Sequence, residues 1–268
     1  LSDKDEQVKG EAVVLLSRTN PVQAIAVLSD VLDNGSIREK QRAVRTLATL
    51  EHSAADLVLT RWLDKLNSGE APPEIHLELL EAALARKQVE PIAERLAVYE
   101  QNQKADDPLR GYRDLVFGGD PQRGRAIFWE RAEAQCLRCH KVAGKGEGLA
   151  GPDLGDIGLK SKPEELLDSI LYPNRKITEG YESVVLELKD GELVIGVLVK
   201  QEGRDLFIAN LDGVHKINKS DVQSQRRGLS PMPAGMHKLL KRSELRDLVA
   251  YLASLKTPPP KSEPQAKP

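Results

Sequence analysis

The chain has 268 residues, of which 40% are hydrophobic and 30% charged, and its net charge is −2. This length and apolar content are enough to bury a core in one large or two ordinary domains. The near-neutral charge disfavours a nucleic-acid-binding surface, and no run of about 18 apolar residues predicts a membrane span. The chain begins at Leu1 without a basic and apolar leader. We therefore expect a mature product or a fragment of a longer polypeptide, and the missing leader does not argue for the cytoplasm.

Residues 1 to 107 have the pattern of consecutive amphipathic helices. Apolar residues recur at spacings of three and four, as at Leu28 and Leu32, and turn signals such as Asn20-Pro21 interrupt them. These breaks predict about six helices, paired with a period of about 35 to 40 residues. We expect a HEAT-like α-solenoid, with an irregular helical bundle as the alternative.

The polar run from 101 to 107, the following Pro108 and the Gly-Gly-Asp-Pro segment at 118–121 predict a seam between Gln101 and Asp120, and we draw the domain boundary after Asp107. Acidic side chains outnumber basic ones before this point and basic ones outnumber acidic ones after it, which indicates two modules with different surfaces. Residues 258–268 are rich in proline and polar side chains, so we expect a disordered tail. The predicted organisation is a helical domain at 1–107, a second domain at 108–257 and the tail.

The pentapeptide Cys-Leu-Arg-Cys-His at 136–140 is the motif with the clearest chemistry. It contains the two cysteines of the chain, and its spacing is that of c-type haem attachment, in which both thiols bond to the haem and the histidine ligates the iron. The alternatives are a thioredoxin-like redox pair and half of a zinc site. Zinc would need two more Cys or His at comparable spacing, and none follows. A thioredoxin-like pair would follow a strand, whereas residues 121–135 have a helical pattern.

We therefore expect Cys136 and Cys139 to hold one covalent haem c and His140 to be the proximal ligand of its iron. Two further features resemble mono-haem c-type cytochromes. Gly124 and Phe128, in the helix that begins at Asp120-Pro121, and Tyr251, in a helix predicted at 243–255, resemble the crossing helices of that class. The Gly-Pro-Asp-Leu segment at 151–154 resembles the loop whose proline carbonyl accepts a hydrogen bond from the proximal imidazole, which makes Pro152 part of the predicted haem site.

After this loop, Arg175 and Lys176 follow a Tyr-Pro-Asn turn. These side chains either pair with haem propionates or belong to a solvated basic loop.

From Tyr181 to Val222 apolar and polar residues alternate in four short runs separated by glycine-containing turns. This pattern predicts a small antiparallel sheet or barrel inserted into the second domain. We interpret the insert as a scaffold that packs on the haem domain, with a docking surface or a cover over the haem edge as the alternative.

From about Gly119 to Leu255 the chain resembles the haem-binding domain family of planctomycete and verrucomicrobial bacteria, a divergent group of c-type cytochrome domains. Members are often the C-terminal part of long secreted polypeptides, behind a propeller-like sugar-dehydrogenase domain and helical repeats. The resemblance implies that this chain is a fragment of such a dehydrogenase polypeptide. The segments that carry it are GRAIF at 124–128, CLRCH at 136–140, GPDL at 151–154, DSILYPN at 168–174, GYE at 180–182 and SPMPAGM at 230–236.

Three residues late in the chain are candidates for the second iron ligand: Met232, Met236 and His237. Met232 lies between Pro231 and Pro233, whose fixed φ angles keep the segment extended and out of a helix. It also occupies the methionine position of the family motif. Met236 stands at the start of a short predicted helix, where packing is its expected role, and His237 would give bis-histidine ligation. We predict Met232 as the ligand.

These features predict a mostly α protein, in which a HEAT-like solenoid precedes a c-type cytochrome domain with a β insert. The expected function is electron transfer without catalysis, because outer-sphere exchange needs no acid, base or nucleophile. The expected partner is a redox protein or a dehydrogenase domain, and the expected location is the periplasm or the exterior. The alternatives are a haem-based peroxidase or small-ligand sensor, and a helical-repeat interaction module with an ancillary haem.

Overall fold

The computed structural model describes residues 6–146 and 148–259, so most of the predicted tail lies outside the described residues. The chain forms two compact units that divide between Gly118 and Gly119. Both helices and an antiparallel sheet are present, as the sequence predicted. In the part of the chain that the structure describes, no helix is both long and apolar enough to cross a membrane.

Six α-helices make up most of the described part of the first unit, in agreement with the sequence. Local signals set their ends: the Asn20 side chain accepts a hydrogen bond from the Gln23 N–H at the start of α2, and Ser36 and Glu39 form a capping box at the start of α3. Helix α4 ends at Gly69, whose φ of 79° is left-handed. The helices are α1 (Glu6–Thr19), α2 (Pro21–Asn34), α3 (Ile37–Thr49), α4 (Ser53–Ser68), α5 (His76–Ala85) and α6 (Glu90–Asn102).

One continuous apolar core holds these helices together. Leu32, Leu47 and Ile75 are completely buried in it. Each helix packs on its neighbour along the chain and also on the helix two positions away: α1 on α3, α2 on α4, α3 on α5 and α4 on α6. This packing buries the apolar stripe that the spacing of three and four predicted.

The two units divide within the predicted seam of 101–120, but eleven residues after the boundary drawn at Asp107, because residues 108–118 pack on the first unit. Leu109, Leu115 and Val116 are buried. The Gln41 side chain donates hydrogen bonds to the carbonyls of Glu74 (2.7 Å) and Gly118 (2.8 Å), which tie the end of this segment to the helices. The unit therefore ends at Gly118, where the last of these contacts is made.

The second unit contains four α-helices among its described residues: α7 (Pro121–Glu130), α8 (Ile157–Lys160), α9 (Pro163–Leu171) and α10 (Arg242–Ser254). Helix α7 begins at Asp120, whose carboxylate accepts a hydrogen bond from the Gln122 N–H at 2.9 Å. The sequence predicted that this helix continues to Gln135, but it ends at Glu130. The backbone of the next residue, Arg131, is already extended (φ −75°, ψ 108°), and Gln135 has a left-handed φ of 46°.

Helices α7 and α10 cross in close contact, as predicted from Gly124, Phe128 and Tyr251. A Cβ atom at Gly124 would lie 1.9 Å from the carbonyl oxygen of Asp247, so only glycine allows this approach. The rings of Phe128 and Tyr251 lie 5.6 Å apart, and the Trp129 indole N–H donates a hydrogen bond to the Tyr251 hydroxyl at 2.7 Å.

An antiparallel sheet of five strands lies between α9 and α10 in the chain, in the order β4-β3-β2-β1-β5. The sequence predicted four of these strands and missed β5, so the insert extends to Arg227 and not only to Val222. One face of the sheet forms a small core that includes the fully buried side chains of Leu186 and Ile208. The strands are β1 (Ser183–Leu188), β2 (Leu193–Glu202), β3 (Asp205–Asn210), β4 (Gly213–Asn218) and β5 (Val222–Arg227).

Candidate functional site

The Cys-x-x-Cys-His motif forms a single tight turn after α7. Cys136–Arg138 is one turn of 3₁₀-helix, and the His140 N–H donates to the Cys136 carbonyl at 2.9 Å. This turn brings both thiols and the imidazole into one short, folded segment. Cys136 and Cys139 are both free and half-buried, and no disulfide joins them.

The two thiols are protonated at neutral pH. Burial raises the pKa of Cys136 to about 11, and burial also raises the pKa of Cys139. A thioredoxin-like pair needs the opposite shift, because its attacking sulfur must be a thiolate. The electrostatics of the turn therefore disfavour the redox-pair alternative.

The predicted hydrogen bond between His140 and Pro152 is confirmed. The His140 Nδ1 atom lies 2.9 Å from the Pro152 carbonyl oxygen. Because a carbonyl can only accept, Nδ1 carries the proton and Nε2 keeps a free lone pair. Burial lowers the pKa of His140, against the opposing effect of this hydrogen bond, so the ring is neutral near pH 7. A neutral imidazole with an open Nε2 is the form that ligates a metal.

Two glycines make room for this arrangement. A Cβ atom at Gly151 would lie 2.7 Å from Cε1 and 2.8 Å from Nδ1 of His140, and one at Gly148 would lie 2.2 Å from the carbonyl carbon of Cys139. Real Cβ contacts are not this short, so a side chain at either position would displace the motif. The sequence singled out Gly151 as part of the Gly-Pro-Asp-Leu segment but missed Gly148.

Asp153 holds the loop that carries Pro152. Its carboxylate accepts hydrogen bonds from the N–H groups of Ala143 (2.9 Å), Gly144 (2.7 Å) and Gly155 (2.8 Å). These bonds close the loop between the motif and the proline, and they offset the left-handed φ of 51° at Ala143. Sequence reasoning missed this role, because it depends on three backbone groups that meet only in the fold.

The predicted second ligand lies in an irregular segment between β5 and α10. Met232 is half-buried, and its N–H donates a hydrogen bond to the Ser230 hydroxyl at 3.2 Å. The Ser230 N–H in turn donates to the Asn174 side-chain oxygen at 2.7 Å. Met236 begins a 3₁₀ turn, Met236–Leu239, that also contains His237, which agrees with the predicted short helix.

Two arginines, one after α9 and one inside the motif, make specific contacts. Arg175, which the sequence left between propionate pairing and a solvated loop, forms an ion pair with Asp168, and its guanidinium lies 4.0 Å from the centre of the Tyr172 ring. Arg138, inside the motif, donates to the Leu211 carbonyl at 3.1 Å and so connects the β3–β4 turn to the motif. This link agrees with an insert that packs on the site.

Two neighbouring thiols and an imidazole fixed through Nδ1 are groups that a covalently bound haem takes from a protein, so the motif fits that group. Met232, on a separate proline-bounded segment, is of a residue type that such a haem takes as its second ligand. In residues 6–146 and 148–259, no group of three or more His, Cys, Asp or Glu side chains is placed to hold a metal ion. No protein-family model matches the chain, and no curated protein is significantly similar to it.

Proposed function

We propose that the second unit is a c-type cytochrome domain that carries electrons through one covalent haem. The observation that carries the proposal is the hydrogen bond from His140 Nδ1 to the Pro152 carbonyl, next to a turn that presents both cysteines. Cys136 and Cys139 would form the thioethers, and His140 and Met232 would be the axial ligands. The bound haem would supply reversible one-electron exchange between ferric and ferrous iron.

The residues around the motif each contribute to holding the proximal ligand. Pro152 keeps the proton on Nδ1 of His140, so that Nε2 stays available for the iron. Asp153 ties the Pro152 loop to the backbone that follows His140, which limits the movement of the imidazole. Gly151 leaves space for the ring. A ligand held in one position lowers the reorganisation that accompanies electron exchange.

We propose an electron carrier and not an enzyme, because electron exchange requires none of the acid, base or nucleophilic groups of catalysis. The partner would be a redox protein or a dehydrogenase domain. The location would be periplasmic or outside the cell, as the resemblance to secreted haem-domain polypeptides implies. The chain would then be the electron outlet of a larger dehydrogenase polypeptide.

For the first unit we propose a HEAT-like solenoid. Its support is the packing of each helix on the helix two positions along the chain, from α1 on α3 to α4 on α6. This pattern is typical of stacked helix pairs, in which equivalent helices of successive repeats lie side by side. Such a unit would serve as a spacer or an interaction surface beside the haem domain.

A pair of methionine variants tests the assignment of the axial ligands. In the haem-loaded protein, Met232→Ala should abolish the weak sulfur-to-iron charge-transfer band of the ferric form and lower the reduction potential, because a thioether favours ferrous iron. Met236→Ala is the matched control and should keep the band. If Met236→Ala loses the band and Met232→Ala keeps it, the ligand is Met236 and not Met232.

A further inference from the structure

We propose that Asn174 is the positioning residue for Met232, an inference that rests on the proposed haem function. Asn174 follows α9, far from Met232 in the sequence, yet its side-chain oxygen accepts the Ser230 N–H at 2.7 Å. The Ser230 hydroxyl then accepts the Met232 N–H at 3.2 Å. Asn174, Ser230 and Met232 thus form one chain of hydrogen bonds that ends on the backbone of the predicted ligand.

Few other bonds hold this segment. In the described structure, Gly228 is tied to β1 through its N–H and the Ser183 carbonyl at 2.7 Å, and the next hydrogen bond to another element is the one from Ser230 to Asn174. Pro231 and Pro233 have no N–H to donate. The hydrogen bond to Asn174 is therefore the backbone tie closest to Met232 that joins this segment to another element.

Asn174 is exposed, but the turn that contains it makes several contacts of its own. The turn that contains it is closed by the Arg175 N–H, which donates to the Tyr172 carbonyl at 2.9 Å. The Arg175 guanidinium lies against the Tyr172 ring and pairs with Asp168 on α9. An acceptor on a braced turn can fix a flexible partner, because the entropy of ordering the acceptor has already been lost on folding. Arg175 makes these contacts while its side chain stays 43% exposed.

The hydrogen bond from Ser230 to Asn174 should affect how often the Met232 thioether would detach from the haem iron. A hydrogen bond that holds the segment in place favours the bound thioether over a detached one. Loss of one such bond changes an equilibrium by about two- to tenfold. Without the Asn174 acceptor, the iron would be open for a larger fraction of time, and small ligands would enter about two- to tenfold faster.

The test compares Asn174→Ala with Asn174→Asp, which keeps an oxygen acceptor, and with Asn102→Ala on the first unit as the matched control. In the ferric haem-loaded protein, Asn174→Ala should bind azide about two- to tenfold faster than the unsubstituted protein. Asn174→Asp and the control should bind azide at the unsubstituted rate. The charge-transfer band should persist in all three, because Met232 remains the ligand in the resting state.

Amide hydrogen exchange gives a second readout that needs no haem. The Ser230 amide should be protected in the unsubstituted full chain, lose protection in Asn174→Ala and regain it in Asn174→Asp. An unprotected Ser230 amide in the unsubstituted chain, or azide binding unchanged in Asn174→Ala, overturns the positioning role. If the unsubstituted protein holds no covalent haem, the proposed function fails instead, and the exchange measurement still decides whether Asn174 holds the segment.

Discussion

Replacement of Gly151 by alanine tests how closely the loop fits the imidazole of His140. The new Cβ would lie 2.7 Å from Cε1 and 2.8 Å from Nδ1, whereas ordinary contacts begin at 3.4 Å. The ring or the loop must therefore withdraw by about 0.7 Å. A shift of this size directed along the 2.9 Å bond to Pro152 would stretch it to about 3.6 Å, which is no longer a hydrogen bond.

Gly151→Ala should therefore cost the second unit about 1–3 kcal/mol in free energy of unfolding, which urea titration of the full chain measures. It should also release His140 from its single tautomer, which nitrogen NMR of the imidazole detects. Lys145→Ala, at an exposed position of the same loop, is the control and should change neither. A variant with unchanged unfolding and a proton still fixed on Nδ1 would refute this account of the loop.

Three other predictions address the helix crossing, a buried carboxyl and the unit boundary. Gly124→Ala should lower the free energy of unfolding of the second unit by about 1–3 kcal/mol in urea titration, because the new Cβ meets the Asp247 carbonyl. Helix propensity alone predicts a gain of stability from this change, and such a gain would contradict the close crossing of the helices. Burial raises the pKa of Asp247 above its ordinary 3.8, so the contribution of this carboxyl to the free energy of unfolding should fall as pH rises from 3.8 through the folded-state pKa. Urea titrations of Asp247→Asn across this range should show a smaller fall, and an identical pH profile would argue against the shift. A fragment of residues 1–107 should have a lower free energy of unfolding than a fragment of residues 1–118. The difference should be roughly 1.5 kcal/mol or more for each of the buried side chains that the shorter fragment lacks, Leu109, Leu115 and Val116. Equal stability of the two fragments would support the boundary after Asp107.

The helical parts of the fold were predictable because their signals are local. Apolar spacing identifies the buried face of each helix, and short-range signals such as the Ser36–Glu39 capping box mark the ends. Strand β5 has no such signal. Its sequence, Val-Gln-Ser-Gln-Arg-Arg, lacks apolar alternation, and it is a strand because it pairs with β1. The segment 108–118 was assigned to the wrong unit for the same reason, since its contacts are with residues distant in sequence.

In the candidate site, too, some features were predictable from the sequence, and others depend on contacts between distant residues. The cysteine spacing predicted haem attachment, and the resemblance to cytochromes predicted the bond between His140 and Pro152, which the structure confirms. The roles of Asp153 and Asn174 were not predictable. Both act as acceptors for backbone N–H groups, and a backbone group leaves no mark in the sequence at the position that donates.

The central claim is that Cys136 and Cys139 are bonded to one haem, and the most direct measurement is a thiol titration of the denatured protein combined with its intact mass. The protein should be produced in cells that attach c-type haem, with Cys136→Ser/Cys139→Ser as the control. Because both thiols are consumed in thioether bonds, the titration should find no free thiol, and the mass should be increased by one haem that survives acid-acetone extraction. Two titratable thiols, with any haem lost on extraction, would contradict it.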